Sequence, residues 1–219
     1  MKSNFNTEID IIENDVIEQY PSILEILLKD RTTQNNIIWA TSNYKKLGKQ
    51  YEYNSEIKIE LISGANGKII MPRVQKEKSL QKSRVRDMAE VFTPSWLCNS
   101  QNNLIDNAWF KKKEVFNKEI KISDDEYKWK TNNKKIIFPK NKTWQDYIKD
   151  TRLELACGEA PYITSRYDTV SGKFISVKNR IGILDRKLRV INENTNNLNE
   201  WFKAAEISYK STYAYDWQG

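Results

Sequence analysis

The sequence predicts an α/β fold preceded by an α+β extension, and three observations predict it. A strand-length run, Arg152 to Ala156, ends directly in a turn of small residues, Cys157-Gly158. Two segments with helical periodicity follow, Arg180 to Asn194 and Asn197 to Tyr209. The final stretch, STYAYDWQG, then reads as a second strand that reaches an acid. Strand, turn, helices and strand is an α/β order. Residues 1–75 lack that order, so the expected division is 1–75 and 76–219.

In the first region, Ile9 to Asp30 reads as one or two amphipathic helices, with Pro21 as the break. Ile37 to Val74 reads as a small strand-bearing module without a recognisable site. Within it Glu56 to Ser63 (EIKIELIS) alternates charged and apolar residues as a half-buried strand does, and Ala65-Asn66-Gly67 turns it into Lys68 to Met71.

The second region opens on a basic segment holding Lys76, Lys78, Lys82, Arg84 and Arg86. It reads either as a solvated helix or as a phosphate-contacting one, with Lys78, Lys82, Arg84 and Arg86 as candidate nucleic-acid ligands. Pro94 to Phe110 is a predicted helix, with Thr93 as its N-cap and Pro94 at its first position. Lys111 to Lys142 is lysine-rich and turn-interrupted, which predicts an insertion of loops around short strands such as Lys135 to Phe138. A short helix over Thr143 to Lys149 leads into the Arg152 strand. Tyr167 to Val177 reads as a hairpin around Ser171-Gly172.

Composition narrows the chemistry. The chain has 219 residues, 39% hydrophobic and 11% aromatic, enough for a sizeable core. Its 36 Lys and Arg against 29 Asp and Glu give a net charge of +7, which favours a polyanionic partner. Two distant cysteines, Cys98 and Cys157, form neither a disulfide framework nor a metal-ligand spacing, and suit a reducing, cytoplasmic setting. No segment has the apolar length of a membrane span or a signal peptide. The absence of histidine removes Ser-His-Asp and Cys-His nucleophilic systems, histidine zinc sites and histidine-centred nucleases.

On spacing alone, Thr151 to Ile163 (TRLELACGEAPYI) is a strand end followed by a turn through which backbone can approach a ligand closely; ordinary packing gives the same pattern. The segment also resembles the first cofactor motif of the amino-methyltransferases, D/E-P-A-C-G-x-G-x-F-L. Glu154, Ala156, Cys157, Gly158, Tyr162 and Ile163 stand at matching positions. Leu155 replaces the usual proline, and Ala160 stands where glycine is common. Upstream, Ala89 to Pro94 (AEVFTP) resembles the segment that precedes this motif in the gamma-order adenine methyltransferases. Downstream, Tyr213 to Asp216 (YAYD) resembles the second-strand motif whose carboxylate accepts the cofactor ribose.

The resemblance implies a partial Rossmann-like, S-adenosylmethionine-dependent methyltransferase fold, with the cofactor held by Phe92, Thr93, Pro94, Glu154, Ala156, Cys157, Gly158, Tyr162 and Asp216. Phe92 and Tyr162 would face the sulfonium, and Asp216 the ribose hydroxyls. Asp216 lies farther from the turn than the roughly 20 residues usual in dinucleotide folds. That distance implies a second insertion over about 166–194. Asp185, at the end of Ile181-Gly182-Ile183-Leu184-Asp185, competes for the same role. The family acts on adenine N6 in DNA within restriction-modification systems, through a D/N-P-P-Y/F/W motif, and no Pro-Pro pair exists in this sequence. The chain is thus expected to carry no catalytic residue of its own and to need a second polypeptide for the catalytic motif and target recognition. The alternative is a non-catalytic DNA-binding or assembly protein that keeps the fold.

Overall fold

The computed structural model describes residues 9–78, 81–82, 85, 91–124 and 126–216. They form two compact units, one ending at Glu77 and one spanning Lys78–Asp216. In the first, Pro21 separates α1 (Glu13–Gln19) from α2 (Ile23–Leu27), as a ring that cannot continue a helix requires. The core gathers Leu28, Trp39, Tyr51, Ile57, Leu61 and Ile62, and the Tyr51 hydroxyl donates to the Leu61 carbonyl at 3.1 Å.

The strand expected over Glu56 to Ser63 is not formed. The backbone is extended at Lys58 and then coils into α3 (Ile59–Ile62). A period-two segment needs a neighbouring strand, and this one finds a single bridge, Ile38 with Glu56. Coiling also lets the adjacent Leu61 and Ile62 both enter the core, whereas a strand sends neighbours to opposite faces. Among the described residues, Ile37 to Val74 holds one isolated bridge, α3 and short 3-10 turns rather than strands.

The second unit is mixed α/β. Its elements run α4 (Ser95–Phe110), β1 (Asn117–Ser123), β2 (Glu126–Thr131), α5 (Trp144–Lys149), β3 (Arg152–Leu155), α6 (Ile183–Asn194), α7 (Leu198–Lys210) and β4 (Thr212–Tyr215). β1 and β2 pair antiparallel. β3 and β4 pair parallel, from Arg152 opposite Thr212 to Leu155 opposite Tyr215, because the chain returns through α6 and α7 before adding β4. The apolar core brings together Phe110, Phe116, Tyr147, Ile148, Val190, Ile191, Ala204 and Ala205. No helix among the described residues is long and apolar enough to cross a membrane.

Caps explain the helix starts. Thr143 and Asp146 form a reciprocal capping box on α5, and the Asn197 side chain accepts from the Glu200 N–H at 2.9 Å on α7. The first turn of α4 is satisfied differently from the expected Thr93 cap. The helix begins at Ser95, and its N–H donates at 2.7 Å to Oδ2 of Asp168, which lies 73 residues later. The expected strand at Lys135 to Phe138 is also absent. Ile136 instead enters the core while its N–H donates to Glu193.

The inner face of α4 is polar, and it organises the unit. Asp106 accepts from Arg186 at 2.6 Å and from the Tyr147 hydroxyl at 3.0 Å, with Arg152 of β3 at 3.7 Å. Arg186 also donates to Asn99 and Asn103, and Asn99 exchanges hydrogen bonds with Asn117 of β1. Buried charges persist when paired and hydrogen-bonded in this way. One helix thereby fixes a strand of each sheet.

Candidate site at the ends of two parallel strands

The turn after β3 is built from residues in an uncommon conformation. Residues with a Cβ tolerate it poorly, yet Ala156 and Ala160 share with Gly158 a φ of +51°. A left-handed conformation is free for glycine and costs about 1–2 kcal/mol for other residues. Ala160 therefore sits where glycine would be unstrained. A Cβ on Gly158 would lie 3.5 Å from the edge of Phe92, so this backbone runs directly against that ring.

Asp216, immediately after β4, reaches the same turn. Its Oδ2 accepts from the Gly158 N–H at 2.6 Å, and the Cys157 N–H donates to the Tyr215 carbonyl at 3.2 Å. Glu154 faces inward from β3. It accepts from the N–H groups of Tyr162 at 3.5 Å and Ile163 at 3.1 Å, which clamps the far side of the turn. Burial raises the Glu154 carboxyl to about 7 despite these two donors. Burial, Glu154 and Asp216 raise the Cys157 thiol, so it stays protonated at neutral pH. The turn is an acidic place in a basic chain.

Tyr162 joins the turn to the segment before α4. Its hydroxyl bonds Gln101. Burial raises the phenol, the adjacent Cys98 raises it further, and a hydrogen bond with Thr93 opposes them. The buried Cys98 thiol is pushed up to about 12, chiefly by burial and then by Glu154. The Thr93 carbonyl accepts from Thr169 at 3.0 Å and from the Cys98 thiol at 3.7 Å. Phe92, Thr93, Glu154, Cys157, Gly158, Tyr162 and Asp216, drawn from three distant parts of the sequence, thus form one connected cluster. Pro94 and Ala156 flank it along the backbone.

A long excursion separates the turn from the next α-helix. The first α-helix after β3 is α6, whose N-terminal N–H groups from Ile183 and Leu184 donate to the carbonyls of Tyr162 at 2.8 Å and Ile163 at 2.9 Å. Residues 164–182 therefore leave from and return to the same place. Asp185 closes it: its Oδ2 accepts from the Ser165 N–H and hydroxyl and from the Gly182 N–H. Asp185 is a helix-start residue turned into the fold rather than the end of a strand.

Four positioning residues escaped the sequence reading. Asn102 donates to the carbonyls of Tyr162 and Ile181, each from within the core. Ser165 accepts from the Ile181 and Gly182 N–H groups. Gly182 allows the helix start to meet the turn, since a Cβ there would lie 2.3 Å from the Ile163 carbonyl oxygen. Asp168 holds Ser95. Only Asp168 carried a signal, because Asp168-Thr-Val-Ser171-Gly172 is a turn signature.

Of the basic residues singled out upstream, Lys78 and Lys82 are exposed, and Arg84 and Arg86 lie outside the described residues. A cavity of about 380 Å³ occurs elsewhere in the unit, beside Phe116, Arg180, Arg189 and Trp201. No family model, curated protein or solved structure matches the chain.

Proposed function

We propose that Lys78–Asp216 binds S-adenosylmethionine as the cofactor-binding part of an adenine-N6 DNA methyltransferase of restriction-modification type, completed by a second polypeptide. The observation that carries this reading is the convergence of Phe92-Thr93-Pro94, the Glu154 to Tyr162 turn and Asp216 beside the carboxyl ends of two parallel strands. Ligands of open α/β sheets bind at such ends.

The residues fit the cofactor chemically. S-adenosylmethionine carries a sulfonium and an ammonium with no phosphate, so a turn bordered by Glu154 and Asp216 suits it better than it suits a dinucleotide. Asp216, fixed against Gly158, would take ribose hydroxyls as charge-assisted bonds. Phe92 and Tyr162 offer ring faces, worth roughly 0.5–2 kcal/mol to a nearby cation. When bound, the cofactor supplies an electrophilic methyl group. This chain's residues orient it, and the group that positions the target amine comes from the partner.

The parallel pair supports the need for such a partner. Leu153, Leu155, Tyr213 and Tyr215 share one face by register, and each is more than half exposed. No third strand joins β3 and β4 among the described residues. Parallel sheets are ordinarily covered on both faces.

Calorimetric titration with S-adenosylmethionine and its demethylated product tests the reading. Saturable one-to-one binding is expected, weakened at least tenfold in Asp216→Ala and less in Asp216→Asn, which keeps an acceptor for Gly158. No heat from a folded wild-type chain would overturn it. The second reading, a non-catalytic DNA-binding or assembly protein, draws on the fact that Glu154 and Asp216 already accept from the turn's own amides. DNA retention without cofactor binding would favour it.

A further inference from the structure

We infer that the outward face of the β1–β2 hairpin is a duplex-DNA contact surface, with Lys118, Lys128 and Lys130 as its phosphate ligands. The inference takes DNA as partner from the reading above and adds a place for it.

Charge is concentrated here. Residues 111–142 carry eleven lysines against five acids, so six of the chain's seven net positive charges fall in this segment. The upstream basic segment, by contrast, interleaves its cations with Glu77, Asp87 and Glu90.

The pairing then sorts the residues by face. Tyr127, Trp129 and Thr131 are half-buried: Tyr127 lies against Trp96, and Trp129 and Thr131 bond Asn179. Glu119 turns the same way and accepts from Ser100 and Asn103. The opposite face is left with Lys118, Ile120 and Ile122 on β1 and Lys128 and Lys130 on β2, all exposed. Lys118 is directly opposite Lys130, and Ile120 opposite Lys128.

Like charges placed opposite each other destabilise a sheet. None of these three lysines has an ion-pair partner among the described residues. A polyanion laid along the face would relieve that repulsion. A two-stranded ribbon fits the major groove, about 12 Å wide, where exposed isoleucines can meet thymine methyl groups. The tip is different: Asp124 and Glu126 are acidic, and Asp124 holds Lys121 at 2.6 Å. Contact therefore falls on the face and base of the hairpin, away from its tip.

The test is fluorescence anisotropy of the full chain with a labelled 20-base-pair duplex, without cofactor, across a salt series. Lys118→Gln/Lys128→Gln/Lys130→Gln should weaken binding more than tenfold and lower the salt slope by about three, since each phosphate lysine contributes about one. It should leave thermal unfolding unchanged or slightly raised. The charge-matched control Lys45→Gln/Lys46→Gln/Lys49→Gln should stay within twofold of wild type, and Asp124→Asn/Glu126→Gln should bind more tightly. Equal losses from the two lysine triples, or no duplex binding by wild type, would overturn the inference. So would preference for phosphatidylserine vesicles through the same lysines. Because cofactor is absent, failure here leaves the calorimetric test of the turn untouched.

Discussion

The two small sheets of the second unit solve the same problem unequally. The antiparallel hairpin packs its aromatic face on α4 and the Asn179 turn, and exposes a face dominated by lysine. The parallel pair turns a polar face inward, with Arg152 in ion pairs and Glu154 on backbone, and exposes leucine and tyrosine. An antiparallel sheet commonly faces water on one side, whereas a parallel one rarely does. The hairpin's exposed face suits water, whereas the parallel pair leaves an apolar face uncovered among the described residues.

Asp106→Ala should have the largest effect, because Asp106 supports both sheets through Arg186 and Arg152. Leaving Arg186 buried without its partner should destabilise the unit by about 3–5 kcal/mol, read as an early urea transition. Gly182→Ala should separate the sheets. Its Cβ collides with the Ile163 carbonyl on the parallel side only, with an expected cost of about 1–3 kcal/mol. Amide exchange should then rise around Tyr162 and Ile183 before it rises in β1 and β2. Equal loosening of both sheets would show that they form one cooperative block.

The pH dependence sharpens the parallel side further. Glu154 has a folded pKa of about 7 against an ordinary 4.5, so the folded state holds its proton longer. Its contribution to stability is full below about pH 4.5 and is lost as pH rises through 7. Glu154→Gln should flatten that part of the stability profile. Lys187, buried among the Asp150 and Ser211 carbonyls, acts oppositely. Burial lowers it to about 8, so its contribution grows between pH 8 and 10.5. The smallest expected effect is Ala160→Gly. Relief of the left-handed alanine, less the added chain entropy, should stabilise by about 0.5–1 kcal/mol in thermal unfolding.

Local signals in the sequence were strong where one residue type decides the backbone. Pro21, the Thr143-x-x-Asp146 cap and the two helices before β4 could each be read from a few neighbouring letters. The candidate site's residues came instead from the resemblance, since the spacing of Thr151 to Ile163 alone fits ordinary packing equally well. The props behind them were not local. Asp168 caps a helix 73 residues away, and Asn102 looked like one more polar residue on a helix until its carbonyl partners appeared. The alternating Glu56 to Ser63 misled for the same reason: alternation records what could pair, and no partner strand occurs among the described residues. Asp185 likewise read as a strand end because its Ser165 partner is 20 residues upstream.

The central claim is that the turn between β3 and α6 binds S-adenosylmethionine. Titration of isotope-labelled protein, followed through its backbone amide resonances, tests it most directly. Saturable shifts confined to Gly158, Tyr162, Phe92 and Asp216, with Lys118 and Lys130 unmoved, are the predicted result. Shifts centred anywhere else, or none at millimolar cofactor, would contradict it.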